Sequence, residues 1–314
     1  MVADLSLRGV YVPTVTPFTE DGEVDFGALE RLCHDYLDAG ASGIVALATT
    51  GEASALDDDE RVAVVQCCSQ VCVERSAQLI VGAGSNNTKG SVEAARRWAG
   101  TPAMVAVLTV VPYYVRPSEE GIIAHIRAVA KASDVPVVIY NIPYRTGRVL
   151  GPASMLELAR DDRIAGVKQA VGSLDADTLQ IVAEVPDRFH VLGGDDQFLL
   201  PLVLLGGSGA IAASAHVCTD RFVAMIERGL AGDVLAARAH HQALLPVVRE
   251  LFSLPSPAVL KGVLHAQGRI PTPNLRLPLM PSPPAAVAAA MAAIAAAQGV
   301  PSDAMAHGVA GHRR

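Results

Sequence analysis

The chain is poor in aromatic residues, in cysteine and in long apolar runs. Aromatic residues make up 4% of its 314 residues, and five residues are cysteines. No apolar run reaches the roughly 18 residues that suggest a membrane-spanning helix. The start, MVADLSLRG, lacks the basic-then-apolar pattern of a signal peptide. We therefore expect a soluble, cytoplasmic protein without a membrane partner.

Basic residues are also in the minority. The chain has 25 Lys and Arg against 32 Asp and Glu, a formal net charge of −7 and a pI near 5.7. No stripe of Lys and Arg is visible, which argues against nucleic acid as a partner. Hydrophobic residues make up 51% of the chain, enough for a large core in one domain or two.

Metal-ligand patterns are missing as well. Cys67, Cys68 and Cys72 fall in a segment with helical character, and they lack the paired spacing and the histidine partners of a zinc site. His240 and His241 are neighbours in a helical stretch, so their side chains point in different directions. We expect reduced, buried thiols and no metal.

The chain does contain short aliphatic runs that recur at regular intervals. Segments with helical periodicity separate eight such runs, which lie at residues 9–16, 43–48, 79–84, 103–110, 136–141, 163–168, 189–193 and 209–213. This alternation favours a (β/α)8 barrel. A doubly wound open sheet is the alternative, although GAGSNN at 82–87 lacks the third glycine of a dinucleotide-binding motif.

Beyond the eighth run the pattern becomes helical. The predicted helices lie at residues 218–252, 256–267 and 283–298. We predict a barrel over residues 1–230, a helical extension packed on it over 231–299, and a disordered tail over 300–314.

Polar side chains follow the predicted strands, where barrels of this kind carry their active sites. Lys168 ends the run RIAGVK, and Tyr140 ends the run before it. A buried lysine either has a charged partner or loses its proton more readily, and a neutral amine can form a Schiff base with a carbonyl. The residues alone leave both readings of Lys168 open. Tyr140 at the same mouth favours imine chemistry, because a phenol can give and take the protons it needs.

Other strand ends carry candidates that also have ordinary structural explanations. Thr49 and Thr50 follow the second run and could cap a helix, relay a proton or hold a carboxylate. Arg145 could be solvated, or it could clamp a substrate carboxylate with two parallel hydrogen bonds. Tyr113 and Tyr114 follow the fourth run and could be a hydrophobic plug, an interface anchor or a pair of active-site phenols.

Six motifs occur in order along the chain: TPF (16–18), TTGE (49–52), PYYVRPSEEG (112–121), YNIPYRTG (140–147), GVK (166–168) and GGDD (193–196). With these motifs, about residues 7–298 resemble the dihydrodipicolinate synthase and N-acetylneuraminate lyase family of lysine-dependent aldolases. The resemblance implies a Schiff base between Lys168 and pyruvate. It also implies that no metal or organic cofactor is needed, because the lysine activates the carbonyl.

The resemblance further implies roles for the other candidates. Tyr140 would be the acid/base group, and Thr49 would pass protons between Tyr140 and Tyr114. Tyr114 would reach into the site of a neighbouring subunit, within a homotetramer built as a dimer of dimers. Thr50 would hold the pyruvate carboxylate.

The second substrate is the more open part of the resemblance. The backbone around Gly194 and Ile211 would line the pocket. Arg145 stands where the synthases of this family hold the carboxylate of aspartate semialdehyde. It therefore favours condensation of pyruvate with L-aspartate 4-semialdehyde to 4-hydroxy-tetrahydrodipicolinate, in lysine and diaminopimelate biosynthesis. The alternatives are a related pyruvate-dependent aldolase or dehydratase acting on a sugar acid or another keto acid, and an inactive barrel that binds a keto acid.

Some residues depart from the pattern of the family. Gln169 replaces an acidic residue after the lysine, Ala53 replaces a serine after TTGE, and His216 lies where AASAHV replaces a pattern ending in asparagine. We expect these changes to line the pocket or its rim and to affect substrate identity. Asp58, Arg61 and Gly90 stand where some relatives bind inhibitory lysine with histidines and a glutamate, which predicts weak or absent inhibition by lysine.

Overall fold

The computed structural model describes residues 5–299, and eight parallel strands within them close into a barrel in sequence order. The strands are β1 (Gly9–Pro13), β2 (Gly43–Ala46), β3 (Gln78–Gly82), β4 (Met104–Val110), β5 (Val137–Asn141), β6 (Ile164–Gln169), β7 (His190–Gly193) and β8 (Gly209–Ile211). Each predicted run overlaps one of them, although β3 begins one residue before its run and β6 ends one residue after its run. Because β8 pairs with β1, the sheet has no open edge. The (β/α)8 barrel is confirmed and the open doubly wound sheet is excluded.

Residues 5–299 also contain twelve α-helices. They are α1 (Phe26–Asp38), α2 (Asp58–Glu74), α3 (Thr88–Arg97), α4 (Glu119–Ala132), α5 (Pro143–Thr146), α6 (Pro152–Leu158), α7 (Ala176–Glu184), α8 (Leu199–Leu204), α9 (Thr219–Leu230), α10 (Val234–Leu251), α11 (Ala258–Ala266) and α12 (Pro284–Gln298). The segment predicted as helical over 218–252 is two helices, because the chain turns through a left-handed Gly232 with φ of 79°.

Side-chain caps fix the starts of two helices beside the carboxyl ends of the strands. The Glu60 N–H donates to Asp57 Oδ1 at 2.8 Å, and the Asp57 N–H donates to Glu60 Oε2 at 2.9 Å, which is a capping box at the start of α2. The Ser118 hydroxyl accepts from the Gly121 N–H at the start of α4. These contacts fix the ends of the loops that follow β2 and β4.

The core consists of two apolar layers, one inside the barrel and one between the strands and the helices. Strands of a parallel barrel are therefore buried on both faces, which is why they appear in the sequence as continuous aliphatic runs. Successive residues of a strand face opposite layers. On β6, Lys168 accordingly faces the interior and Gln169 faces the helices.

The C-terminal helices pack on one another and on the last barrel helix. Helix α10 contacts α9 and α12, and α11 contacts α12. The boundary at residue 230 stays a prediction, and the predicted tail at 300–314 lies outside the described residues. Within residues 5–299 there is no helix that is long and apolar enough to cross a membrane.

The five cysteines are free thiols in the structure. Four of them are buried, whereas Cys67 is only half-buried. Between residues 5 and 299, no three His, Cys, Asp or Glu side chains are grouped so that they could hold a metal ion. The expectation of a reaction without metal or organic cofactor stays a prediction.

Candidate active site

Lys168 lies at the carboxyl end of β6, beside Tyr140 of β5. The two residues are register partners across the β5–β6 ladder. The Nζ atom of Lys168 lies 4.3 Å from the centre of the Tyr140 ring, a position in which the ring face attracts a cation. Both side chains are buried. The barrel thus places a buried amine and a phenol side by side.

Burial lowers the pKa of Lys168 to about 8, because an ammonium group loses its hydration inside the barrel. The carboxylates of Asp196 and Asp195 oppose this effect on the pKa, and the charge of Arg145 adds to it. At a pKa of about 8, roughly one amine in ten is neutral at pH 7, compared with about one in 2,500 at the ordinary pKa of about 10.4. Lys168 can therefore act as a nucleophile near neutral pH.

Asp196 is a charged neighbour of Lys168 that was not selected from the sequence. Its Oδ2 accepts a hydrogen bond from the Ser214 N–H at 2.6 Å, and its Oδ1 has no hydrogen-bond partner among the described residues. Burial raises the pKa of this carboxyl, while Ser214 and Lys168 lower it. The GGDD motif at 193–196 was the signal that could have identified it.

Gly194 and Ile211 border the same interior space. A Cβ atom on Gly194 would lie 2.8 Å from Lys168 Cε and 2.9 Å from Ala170 Cβ. A larger residue at this position would therefore displace the lysine side chain. Ile211 is fully buried in the apolar cluster inside the barrel, which also contains Tyr140.

A 3-10 turn, Thr49–Gly51, follows β2 and carries the two candidate threonines. Burial raises the pKa of Tyr140, and the charge of Arg145 and the nearby Thr49 side chain lower it. The Thr49 side chain is thus close enough to act on the phenol. Thr50 is buried next to it.

Arg145 lies in the short helix α5, which follows β5. Its guanidinium carbon lies 5.7 Å from the centre of the Tyr144 ring, and its charge lowers the pKa values of both Lys168 and Tyr140. The side chain is exposed. The arginine therefore places a positive charge at the edge of the site, within reach of solvent and of an incoming anion.

Two reciprocal hydrogen bonds connect the loops that follow β4 and β5. Arg116 Nε donates to the Gly147 carbonyl at 3.0 Å, and Arg148 Nε donates to the Pro117 carbonyl at 2.7 Å. Each arginine thus binds the backbone of the other loop. The loop that carries Tyr114 is consequently fixed to the loop that carries Arg145.

Tyr114 is exposed, whereas Lys168 and Tyr140 are buried. Tyr114 has φ of 70°, and the Val115 N–H donates to the Tyr113 carbonyl at 2.8 Å across it. This is a γ-turn with a left-handed centre, a rare and strained conformation for a residue with a side chain. The Tyr114 side chain is 86% exposed, against 40% for Tyr113. The strained backbone at Tyr114 thus accompanies an exposed side chain.

Gln169 does not line the pocket, contrary to expectation. Its Oε1 accepts from Asn141 Nδ2 at 3.1 Å, and its Nε2 donates to Thr178 Oγ1 of α7 at 3.0 Å. The reason is the alternation of β6, which turns the residue after Lys168 toward the helices.

His216 is also misplaced by the sequence reasoning. It is fully buried, its Nε2 accepts from the Val15 N–H at 3.1 Å, and its Nδ1 donates to the Ala213 carbonyl at 2.6 Å. Burial lowers its pKa to about 3, so the ring stays neutral near pH 7. Ala53 packs against the outer apolar layer. His216 therefore connects the loop after β8 to the loop after β1, and Ala53 contributes to packing outside the barrel.

Comparisons with known proteins agree with the geometry. The model of the dihydrodipicolinate synthetase family matches residues 6–297. The chain is 40% identical over 266 residues to the 4-hydroxy-tetrahydrodipicolinate synthase of Moorella thermoacetica, which covers 85% of this chain and 90% of the relative.

Solved structures of this family superpose closely. The chloride-inhibited dihydrodipicolinate synthase of Acinetobacter baumannii, complexed with pyruvate, is 31% identical, with a TM-score of 0.89 over 94% of this chain and 100% of that chain. The Cyanidioschyzon merolae enzyme with lysine bound is 31% identical, with a TM-score of 0.88 over 93% of this chain and 99% of that chain. The chain therefore belongs to the dihydrodipicolinate synthetase family.

Proposed function

We propose that the protein condenses pyruvate with L-aspartate 4-semialdehyde to give 4-hydroxy-tetrahydrodipicolinate, a step of lysine and diaminopimelate biosynthesis. The observation that carries the proposal is Lys168, a buried amine with a lowered pKa beside the Tyr140 phenol. Relatives that are 36% to 40% identical over most of the chain are named for this activity.

The first chemical step joins Lys168 to pyruvate. The neutral amine attacks the keto carbon, a C–N bond forms, and the carbonyl oxygen leaves as water after it has been protonated. Tyr140 supplies this proton, since burial raises its pKa and keeps the phenol protonated at neutral pH. Thr50 and the backbone of its turn hold the pyruvate carboxylate.

The second step makes the carbon–carbon bond. The protonated imine withdraws electrons, so the methyl group loses a proton to the phenolate that the first step left on Tyr140, and an enamine forms. The enamine carbon attacks the aldehyde, and the aldehyde oxygen takes a proton from the relay of Tyr140, Thr49 and Tyr114. The amino group of the semialdehyde then displaces Lys168 from the imine carbon, which closes the ring and frees the lysine.

The test of the proposed function is a comparison of second substrates. We expect the purified protein to consume pyruvate rapidly with L-aspartate 4-semialdehyde and to release a cyclic product that mass spectrometry identifies. Sugar acids and other keto acids should be poor substrates by kcat/KM. Faster turnover of any of those would assign the protein to another activity of the same family.

Arg145→Ala is expected to raise the KM for the semialdehyde about 10- to 100-fold, because a charge-assisted hydrogen bond to a carboxylate contributes about 1.5 to 3 kcal/mol. Borohydride trapping of pyruvate on Lys168 should be unchanged. Arg145→Lys should recover only part of the loss, since a lysine cannot form the paired contact. The exposed Arg160, in the turn between α6 and β6, provides the matched control Arg160→Ala. Equal effects at both positions would contradict the role of Arg145.

Subunit contacts would complete the site. Exposed apolar side chains cluster on the two connected loops after β4 and β5, namely Tyr113, Tyr114, Val115, Tyr144 and Val149. We infer that this patch joins two subunits and that Tyr114 enters the neighbouring site. Three further exposed leucines, Leu179 of α7, Leu204 of α8 and Leu205 directly after α8, would join two such dimers into a homotetramer.

Mixing two inactive variants tests the crossing of Tyr114. Tyr114→Phe and Lys168→Ala should each be inactive alone. In a mixed dimer, the site with an intact Lys168 receives Tyr114 from the other subunit, so random mixing should restore about one quarter of the wild-type activity. Differently tagged subunits would show that mixed oligomers have formed. Mixed oligomers without activity would contradict the exchange.

Inhibition by lysine is expected to be weak or absent. The Asp58 carboxylate is paired with Arg97 at 2.9 Å and with Arg61 at 3.2 Å, where some relatives use histidines to bind lysine. The inhibition is measured as the loss of turnover when free lysine is present at concentrations far above those of the substrates. Free arginine at the same concentration is the control. Strong inhibition specific to lysine would show that the altered position still binds it.

A further inference from the structure

Lys261 is a second buried lysine, and the proposed mechanism does not use it. It lies in α11 and is fully buried, and its Nζ donates to Glu52 Oε1 at 2.8 Å and to the Thr16 carbonyl at 2.9 Å. The same atom lies 4.1 Å from the centre of the Phe18 ring. Burial lowers the pKa of Lys261 to about 8, and the charge of Glu52 opposes this. The ammonium group therefore has a carboxylate, a carbonyl and a ring face as partners.

Glu52 connects this lysine to the turn that carries Thr49 and Thr50. Its second oxygen, Oε2, accepts from the Arg276 N–H at 2.9 Å, and its own N–H donates to the Thr49 carbonyl at 3.1 Å. Glu52 has φ of 53°, which is unfavourable for a residue with a Cβ and persists only where the surroundings hold it. Its buried side-chain contacts supply that constraint.

Thr16 holds the same turn from the other side. Its carbonyl accepts from Lys261, and its hydroxyl donates to the Gly51 carbonyl at 2.7 Å. Gly51 lies so close to the loop after β1 that a Cβ atom on it would be 2.9 Å from the Thr14 carbonyl oxygen. The turn is thus held between the end of β1 and the Glu52 side chain, and Lys261 binds both.

We propose that Lys261, acting through Glu52 and Thr16, is a positioning residue that holds the Thr49–Gly51 turn in the geometry that the reaction needs. This inference rests on the proposed function, because Lys261 acts only through Thr49 and Thr50. Stability alone gives little reason for the pair, since a buried ion pair is often no more stabilising than an apolar pair of similar volume. Misplacement of a catalytic group by about 1 Å can cost about 100-fold in rate.

The test removes both charges together, so that no unpaired charge remains buried. The variant carries Lys261→Met and Glu52→Gln, which keep the approximate size of both side chains. The matched control carries Lys89→Met and Glu93→Gln, the same changes at an exposed ion pair on α3. The rate is expressed as kcat per trapped site. This is the activity divided by the amount of Lys168 that borohydride traps with saturating pyruvate, so that unfolded protein is excluded from the comparison.

We expect kcat per trapped site to fall about 10- to 100-fold and the KM for pyruvate to rise, while the melting temperature stays near that of the wild type and the control is unchanged. Adding Thr49→Val should cost less in the double variant than in the wild type, because both changes impair the same relay. If the Lys261–Glu52 pair were purely structural, kcat per trapped site would be unchanged in the double variant. Thr49→Val would then lower kcat by the same factor in the double variant as in the wild type.

Wild-type kcat per trapped site and pyruvate KM in the folded double variant would overturn the inference. If the double variant does not fold, Glu52→Gln alone decides, because it removes the charge through which Lys261 holds Glu52 and keeps the approximate size of the side chain. It should lower kcat per trapped site, and wild-type values would overturn the inference. Failure of the proposed function is a separate result, seen as wild-type protein that traps pyruvate but does not turn over the semialdehyde.

Discussion

Lys168→Ala is expected to lower kcat for the condensation by at least about 1,000-fold, because the variant has no amine with which to form the imine. Alanine removes a buried charge, and Asp196 can take up a proton because burial already raises its pKa, so the barrel should stay folded. Circular dichroism and the melting temperature check the fold, and pyruvate consumption in the presence of L-aspartate 4-semialdehyde checks the rate. The structure gives the reason for so large an effect, since Lys168 is the amine that lies over Tyr140 inside the barrel.

The matched control is Lys131→Ala, at an exposed lysine in the last turn of α4. It should retain wild-type turnover. If Lys168→Ala kept more than a few per cent of the wild-type rate, another nucleophile would be responsible and the role of Lys168 would be wrong.

Tyr140→Phe should lower kcat about 100- to 10,000-fold, the range expected for loss of a general acid–base group. The substitution keeps the ring under the Lys168 ammonium and removes only the phenol oxygen. The KM for the semialdehyde should change little, because the phenol acts on protons and not on binding. Rapid mixing with pyruvate alone should show slow formation of the imine.

Tyr11→Phe is the control for Tyr140→Phe. Tyr11 is also buried inside the barrel, and its hydroxyl donates to the Gln78 side chain. Loss of this bond should lower the melting temperature and leave kcat near the wild-type value. If the two variants had the same kcat, Tyr140 would be a structural tyrosine and the proton would come from elsewhere.

The barrel was predictable because its strands are buried on both faces. Aliphatic runs such as GIVA in β2 therefore stand out from the polar segments around them. Lys168 was predictable for the same reason, as a charged residue that ends such a run. The exact ends of the strands were not, since β1 ends at Pro13 and β8 at Ile211, earlier than the aliphatic pattern does.

Side-chain contacts between residues that are far apart in the chain could not be predicted from the sequence. Lys261 lies in a helical segment that contains no sign of its partner, because Glu52 is 209 residues away in the chain. Gln169 could have been placed correctly, since alternation along β6 turns it away from Lys168. The left-handed backbone of Tyr114 has no sequence signal, because strained turns of this kind are set by their surroundings.

The most direct test of the central claim is to locate the trapped pyruvate. The chain has four lysines, at positions 89, 131, 168 and 261, and the pKa values of Lys168 and Lys261 are both lowered to about 8. Borohydride reduction with pyruvate, followed by peptide mass spectrometry, should place one reduced pyruvate on Lys168. Lys261 should be unmodified, because its amine is paired with Glu52. A modification on Lys261, or none on Lys168, would contradict the account.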